Sequence, residues 1–336
     1  MTKLIALLAF ALVVLQTTSA QGINSLQVLA RSQMQAGDFD AACKTLDSAL
    51  KGEPNNLALL KDQLFANILK RDFVTSLQLG KRLTERPDAD VQCYQLLGST
   101  YKELAEYKEG TKMYKEGVKK FPTSGVLFSE YGDLLFQDND AVAAINTWEK
   151  GIQADVNNNG NYYYACKYYV NNRNLLKGLL YGEIFVNIES YTPRTEEIKN
   201  MLLQGYKKLL EGNTLKKAAA GGKGFTNMVA RILNKNINEK IDSVSVENLI
   251  ELRWRFILDW VTTGNAKQYP YRLFDLHKQL VDYKIFDAYN QWLFGNAADA
   301  DKYENWQKTH ADQLAQWMQM LHSIVFKIPS GQYYAD

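Results

Sequence analysis

The chain has 336 residues, with 39 Lys and Arg against 37 Asp and Glu, a formal net charge of +2, and 12% aromatic residues. So even a balance excludes binding to polyanions through bulk charge, and no nucleic-acid partner is expected. The three cysteines, Cys43, Cys93 and Cys166, are an odd number, so at most one disulfide can form.

The amino terminus carries Lys3, then an apolar run over residues 4–15, then Gln16, Thr17, Thr18, Ser19 and Ala20. This pattern predicts a secretory signal peptide over 1–20, cleaved before Gln21. The run is well short of the roughly 20 residues that a membrane-spanning helix needs, and charged residues interrupt every later hydrophobic segment. No Cys follows the expected cut, which argues against a lipoprotein. The expectation is an exported, soluble protein without a transmembrane segment, periplasmic or secreted.

Beyond the leader, the triplets Gly37-Asp38-Phe39, Arg71-Asp72-Phe73 and Ala105-Glu106-Tyr107 follow one another at intervals of 34 residues. Five in-frame copies result, 23–56, 57–90, 91–124, 125–158 and 159–192. The sharpest is the third, with Tyr94, Leu97, Gly98, Tyr101, Gly110, Tyr114, Gly117 and Pro122. Small residues there let two antiparallel helices approach, and large aromatics fill the space beside them. The second copy is the weakest, with Gly80 where a large residue is usual, and the fifth reverses large and small at Gly182 and Phe185.

The order and spacing of these residues resemble the tetratricopeptide-repeat family. That resemblance implies an all-α solenoid of helical hairpins with a concave groove for peptide or protein binding. Cys43 and Cys93 would then lie two repeats apart, and Cys166 fills a small-residue position, so three free thiols are expected.

Thr192 and Pro193 form a helix start, and an apolar stripe of Ile198, Leu202, Tyr206 and Leu209 predicts a capping helix over 193–211. Residues 212–224, with Gly221, Gly222 and Gly224, predict a flexible linker open to proteases. The remainder, 225–336, predicts an aromatic-rich helical domain with helices near 225–237, 246–263, 270–294 with a break near Tyr283, and 300–326. It holds Trp254, Trp260, Trp292, Trp306 and Trp317, read chiefly as core. Leader, repeats and tail together resemble uncharacterised exported repeat proteins of Gram-negative bacteria.

No chemistry-bearing motif competes with this reading. His277, His310 and His322 share no metal-ligand spacing, Gly-Gly-Lys-Gly lacks the Ser or Thr of a phosphate loop, and no nucleophile elbow is present. No catalysis, metal or cofactor is expected. A basic stretch of Lys207, Lys208, Lys216, Lys217, Lys223, Arg231, Lys235 and Lys240 across the cap and linker reads as a solvated, mobile linker, with contact to anionic envelope surfaces as the alternative.

The resemblance places positions 2, 5, 9, 12 and 13 of each first helix on the concave side. They include Phe65, Ile68 and Leu69, then Gln95, Ser99, Lys102 and Glu103, then Asp133 and Phe136, then Tyr163, Lys167 and Asn171. Phe65, Lys102, Asp133, Phe136, Tyr163 and Lys167 are the candidate partner-binding residues. Gln27 and Arg31 stand where chaperone-adaptor members carry a carboxylate clamp, so a chaperone-tail receptor is not implied. The expected partner is a protein or peptide segment. An envelope glycan is the alternative, motivated by tyrosines 162, 163, 164, 168 and 169 and the tryptophan-rich tail.

Overall fold

A computed structural model describes residues 22–172, 174–237 and 244–334, so the leader lies outside the described residues. The described chain is helical throughout its regular structure, and it forms two compact units that meet in sequence between Ala141 and Val142.

Unit 1 contains α1 (22–35), α2 (Phe39–Gly52), α3 (Leu57–Lys70), α4 (Phe73–Thr84), α5 (Val91–Glu103), α6 (Tyr107–Lys120) and α7 (Gly125–Gln137). Each helix packs on its sequence neighbour, and the first helices α3, α5 and α7 also pack in a row, as in a hairpin solenoid. The recurrent triplets have a backbone cause. Gly37, Arg71, Ala105 and Asn139, each 34 residues after the last, all have positive φ, from 54° to 81°. At each one the next amide reaches back five residues, Asp38 N to Gln33 O, Asp72 N to Asn67 O, Glu106 N to Tyr101 O and Asp140 N to Leu135 O. This left-handed C-cap stops the first helix. The side chains of Asp38 and Asp72 then accept from Ala41 N and Thr75 N and start the second.

Close approach follows the small residues. A Cβ on Gly98 would overlap the ring and hydroxyl of Tyr114, a residue with no exposed surface. At Gly80, the oddity of the second repeat, a Cβ would come within 2.9 Å of Leu97 Cδ1, so glycine lets α4 sit directly on α5.

Unit 2 begins with α8 (Ala141–Ala154), α9 (Asn159–Val170), α10 (Leu175–Ile188) and α11 (Pro193–Leu210). Every residue of α10 from Leu176 to Asn187 is buried. A helix apolar on nearly all sides needs neighbours all round, and α9, α11 and the later α13 supply them. The reversed pair of repeat five fits this arrangement. Gly182 faces Cys166, Ile198 and Leu202, while Phe185 is fully buried. Thr192 caps α11 by accepting from Thr195 N, as expected.

The stretch expected as an open linker contains a short helix, α12 (Thr214–Ala220). Leu215 is buried, and Asn227 donates to the carbonyls of Ala218 and Ala219 at 2.8 and 3.2 Å, which ties α12 to α13 (Phe225–Asn236). Next come α14 (Val246–Thr262), α15 (Asn265–Gln268) and α16 (Arg272–Asp282). Lys284, at φ 60°, makes the break expected near Tyr283. One helix then runs from Phe286 to Ala298 as α17 (Phe286–Asn290), a π-helical turn (Gln291–Gly295) and α18 (Asn296–Ala298). The single helix expected over 300–326 is two, α19 (Ala300–Thr309) and α20 (Ala311–Ser323). Thr309 Oγ1 bonds back to the carbonyls of Asn305 and Trp306, and His310 stacks on Trp306, closing α19. Past Ser323 the chain is no longer helical, and it turns at Ser330 and Gly331, the latter at φ 86°. Cys43, Cys93 and Cys166 are buried free thiols, and burial raises the last two to about 11 and about 12.

These backbone demands predict opposite signs at two neighbouring positions. Ala105→Gly, which relieves a left-handed residue of its Cβ, is expected to raise stability by up to about 1 kcal/mol. Gly98→Ala is expected to lower it by about 1–3 kcal/mol through overpacking against Tyr114. Urea denaturation of both variants beside the unaltered chain checks the signs.

Candidate functional site

On unit 1 the polar residues of successive first helices are bonded to one another. Gln27 of α1 donates to Asp62 of α3 at 2.7 Å, and Arg31 pairs with the same carboxylate at 2.9 Å. Gln95 of α5 donates to Glu130 of α7 at 2.8 Å, the same 35-residue step. Tyr114 of α6 gives its hydroxyl to Glu130 at 3.0 Å, and burial and then the neighbouring carboxylate raise its pKa well above the ordinary value.

Four of the candidate residues lie on α3, α5 and α7. Lys102 and Asp133 meet at 3.0 Å, each less than a quarter exposed, and Gln137 donates to the same Asp133 oxygen at 3.1 Å. The pair braces α5 against α7 as well as lining a surface. Phe65 and Phe136 remain 43% and 50% exposed, large rings in solvent beside side chains already paired. Gln27 and Arg31 bind Asp62, consistent with the missing clamp.

In unit 2 the structure corrects one expectation. Tyr163 is buried, 8% exposed, because the guanidinium of Arg194 lies 4.9 Å from its ring and Phe185 packs 5.3 Å away. Its hydroxyl donates to Glu197 at 2.6 Å and accepts from Lys167 at 3.1 Å. Burial and the bond to Glu197 raise the Tyr163 pKa. Lys167 also pairs with Glu197 at 2.7 Å. Burial works against its charge, yet Glu197 and Tyr163 outweigh it and hold Lys167 above the ordinary lysine value. Tyr163 is therefore a packing residue that positions Lys167. Tyr163→Ala is expected to cost about 3 kcal/mol and Tyr163→Phe about 1 kcal/mol, read from thermal melts of the two variants. Half of the aromatics that motivated a glycan reading are core: Tyr162, Tyr163, Trp260, Trp292 and Trp317 are buried, while Trp254 is 44% exposed.

A polar centre that sequence reasoning missed lies deeper in unit 2. Glu183 of α10 is ion-paired with Arg253 of α14, and the same oxygen, Oε1, accepts from His277 Nε2 of α16 at 2.8 Å and from the Tyr289 hydroxyl of α17 at 2.7 Å. Asn187, one turn further along α10, donates to the Tyr289 oxygen at 2.9 Å. All five residues are buried. Burial alone would raise the Glu183 carboxyl, but Arg253, then His277 and Tyr289, outweigh it and hold it at about 2. Burial lowers the His277 pKa against the pull of Glu183, so the ring is neutral and donates through Nε2. Arg253, set in Leu252-Arg253-Trp254, was the one visible signal, a charge at a position with core periodicity. Its partner stands 70 residues away.

The acid dependence follows. Glu183 has its folded pKa below the ordinary 4.5, so its stabilisation is complete above pH 4.5 and is lost between about 4.5 and about 2. His277, depressed below 6.5, adds a loss that begins as pH falls through 6.5. Melting temperature is expected to fall from pH 7 towards pH 3. Glu183→Gln strands a buried guanidinium, with an expected cost of about 3–5 kcal/mol at neutral pH. It should also flatten the slope below pH 4.5, and an unchanged acid slope would remove Glu183 as the cause.

No group of His, Cys, Asp and Glu among the described residues could hold a metal ion, and no described helix is long and apolar enough to cross a membrane. No family model and no curated protein matches the chain. Among solved structures it is similar to a tetratricopeptide repeat protein from Parabacteroides merdae, 17% identical, covering 73% of this chain and 93% of that one with a TM-score of 0.43. It is also similar to a thermophilic TPR protein of Thermus thermophilus, 14% identical, covering 55% and 98% with a TM-score of 0.43. A third is YrrB, described as a TPR protein with an unusual peptide-binding site, 13% identical, covering 54% and 97% with a TM-score of 0.38. The regular structure of the described residues is all-helical, and in unit 1 the period of 34, the left-handed stops and the row of first helices make a helical-hairpin solenoid of the tetratricopeptide type.

Proposed function

We propose that the chain is an exported, non-catalytic scaffold that holds a polypeptide segment along its first helices. In one unit Phe65, Lys102, Asp133 and Phe136 make the contacts. Unit 2 by itself offers a separate charged position, Lys167, which Tyr163 and Glu197 hold. The observation that carries the reading is the state of the unit 1 face, where interhelix pairs hold the polar side chains while Phe65 and Phe136 stay about half exposed. A surface with fixed charges between exposed rings is preorganised, so a bound segment would order few side chains. Aromatic anchors commonly dominate such interfaces. Export rests on the leader-like pattern of residues 1–20 and predicts a periplasmic or secreted location.

Peptides selected from a random display library against the chain beginning at Gln21 test the reading. Against the double variant Phe65→Ala and Phe136→Ala, the selected peptides are expected to bind at least about tenfold more weakly by fluorescence polarisation. Melting should stay within about 0.5 kcal/mol per exposed site. Undiminished binding to a folded double variant would remove this face as the binding surface.

A further inference from the structure

The non-helical residues 324–329 after α20, ahead of the turn at Ser330 and Gly331, pack as a bound peptide does. Asn157, in the turn between α8 and α9, donates through Nδ2 to Ile328 O at 3.0 Å and accepts from Ile328 N at 2.8 Å. One side-chain amide thus satisfies both backbone groups of one residue, as a neighbouring β-strand would, and it reads no side chain. Side chains alternate around that point. Phe326 and Ile328 are buried at 9% and 3%, while Val325 is 84% exposed and Lys327 is exposed. The guanidinium of Arg272 lies 5.1 Å from the Phe326 ring. Further on, Gln332 accepts from Arg272 N at 2.6 Å, Tyr333 bonds to Glu149, and Tyr334 stacks 4.6 Å from Phe225. Open clefts flank the segment on both sides, one beside residues 153–157 and one beside Asn187, Tyr191 and His322. Exposed Tyr191 and Ile324 border the second.

We propose that this trough, on the α8–α9 turn and α16, is a second peptide-binding site. Its ligand is an extended segment with two apolar residues separated by one, and residues 324–334 of the chain itself are its resident occupant. An incoming segment of the same pattern from another protein binds by displacing them. The site lies apart from the candidate residues on the first helices and does not depend on that reading.

The test uses the full chain with a protease recognition sequence inserted after Ser323, cut in the folded state. A fluorescent synthetic peptide copying residues 324–334 is then added. The cut chain is expected to keep its circular-dichroism spectrum and to exchange its fragment for the labelled peptide saturably. A peptide carrying F326S and I328S should fail to compete. Asn157→Asp replaces the donor facing Ile328 O with an acceptor and should weaken binding at least about tenfold. No uptake by a folded cut chain, or uptake only where helical signal is lost, would make the segment a structural strap and overturn the proposal. If cutting itself unfolds the chain, the proposal is equally overturned. Peptide uptake by the uncut chain, weaker by competition with its own segment, would support it.

Discussion

A carboxylate shut away from water has to be surrounded by donors, and in unit 2 that requirement organises the packing. Glu183 sits on α10, the most deeply buried helix of the unit, where an ionised oxygen is tolerable only with full compensation. Arg253, His277 and Tyr289 supply it from α14, α16 and α17. The last hairpin of the repeat region and the aromatic-rich helices therefore share one polar centre. Glu149 plays a similar part nearer the surface, accepting from Tyr169 at 2.8 Å, Tyr181 at 3.0 Å and Lys177 at 2.9 Å. Around both centres the aromatic rings pack edge to face, Phe256 on Phe274 and Tyr289 on Trp317 among them.

Unit 1 rests on backbone geometry instead. Each first helix is stopped by one left-handed residue, and only at Gly37 is that residue a glycine. Arg71, Ala105 and Asn139 hold the same conformation at a local cost that the packing of the hairpins offsets. Because the stops recur at a fixed interval, successive first helices present equivalent positions to one another. The repeated step from Gln27 to Asp62 and from Gln95 to Glu130 is a direct result. On that face the polar side chains are bonded laterally while Phe65 and Phe136 stay about half exposed.

Residues 324–334 are held in a different way. There the chain is held by its backbone and by alternate apolar side chains, with no helix involved.

The caps at Asp38 and Asp72 emerged only with the structure, whereas the 34-residue period, the cap at Thr192, and the close approaches at Gly98 and Gly117 were legible in the sequence. Each depends on residues within one or two helices, where helical spacing alone dictates which side chains meet. Lys102 and Asp133 were placed on one surface by the family resemblance, and in the structure they pair at 3.0 Å. Tyr163 shows where that reasoning stopped. Its repeat position suggested an open face, and its burial came from Phe185 of α10 and Arg194 of α11. The helix within residues 212–224, the Glu183 centre and the peptide-like trough were decided by tertiary structure alone. Their partners include residues 70 to 171 positions apart, and no periodicity links such distant residues. Burial cost and donor geometry choose them only once the helices have packed.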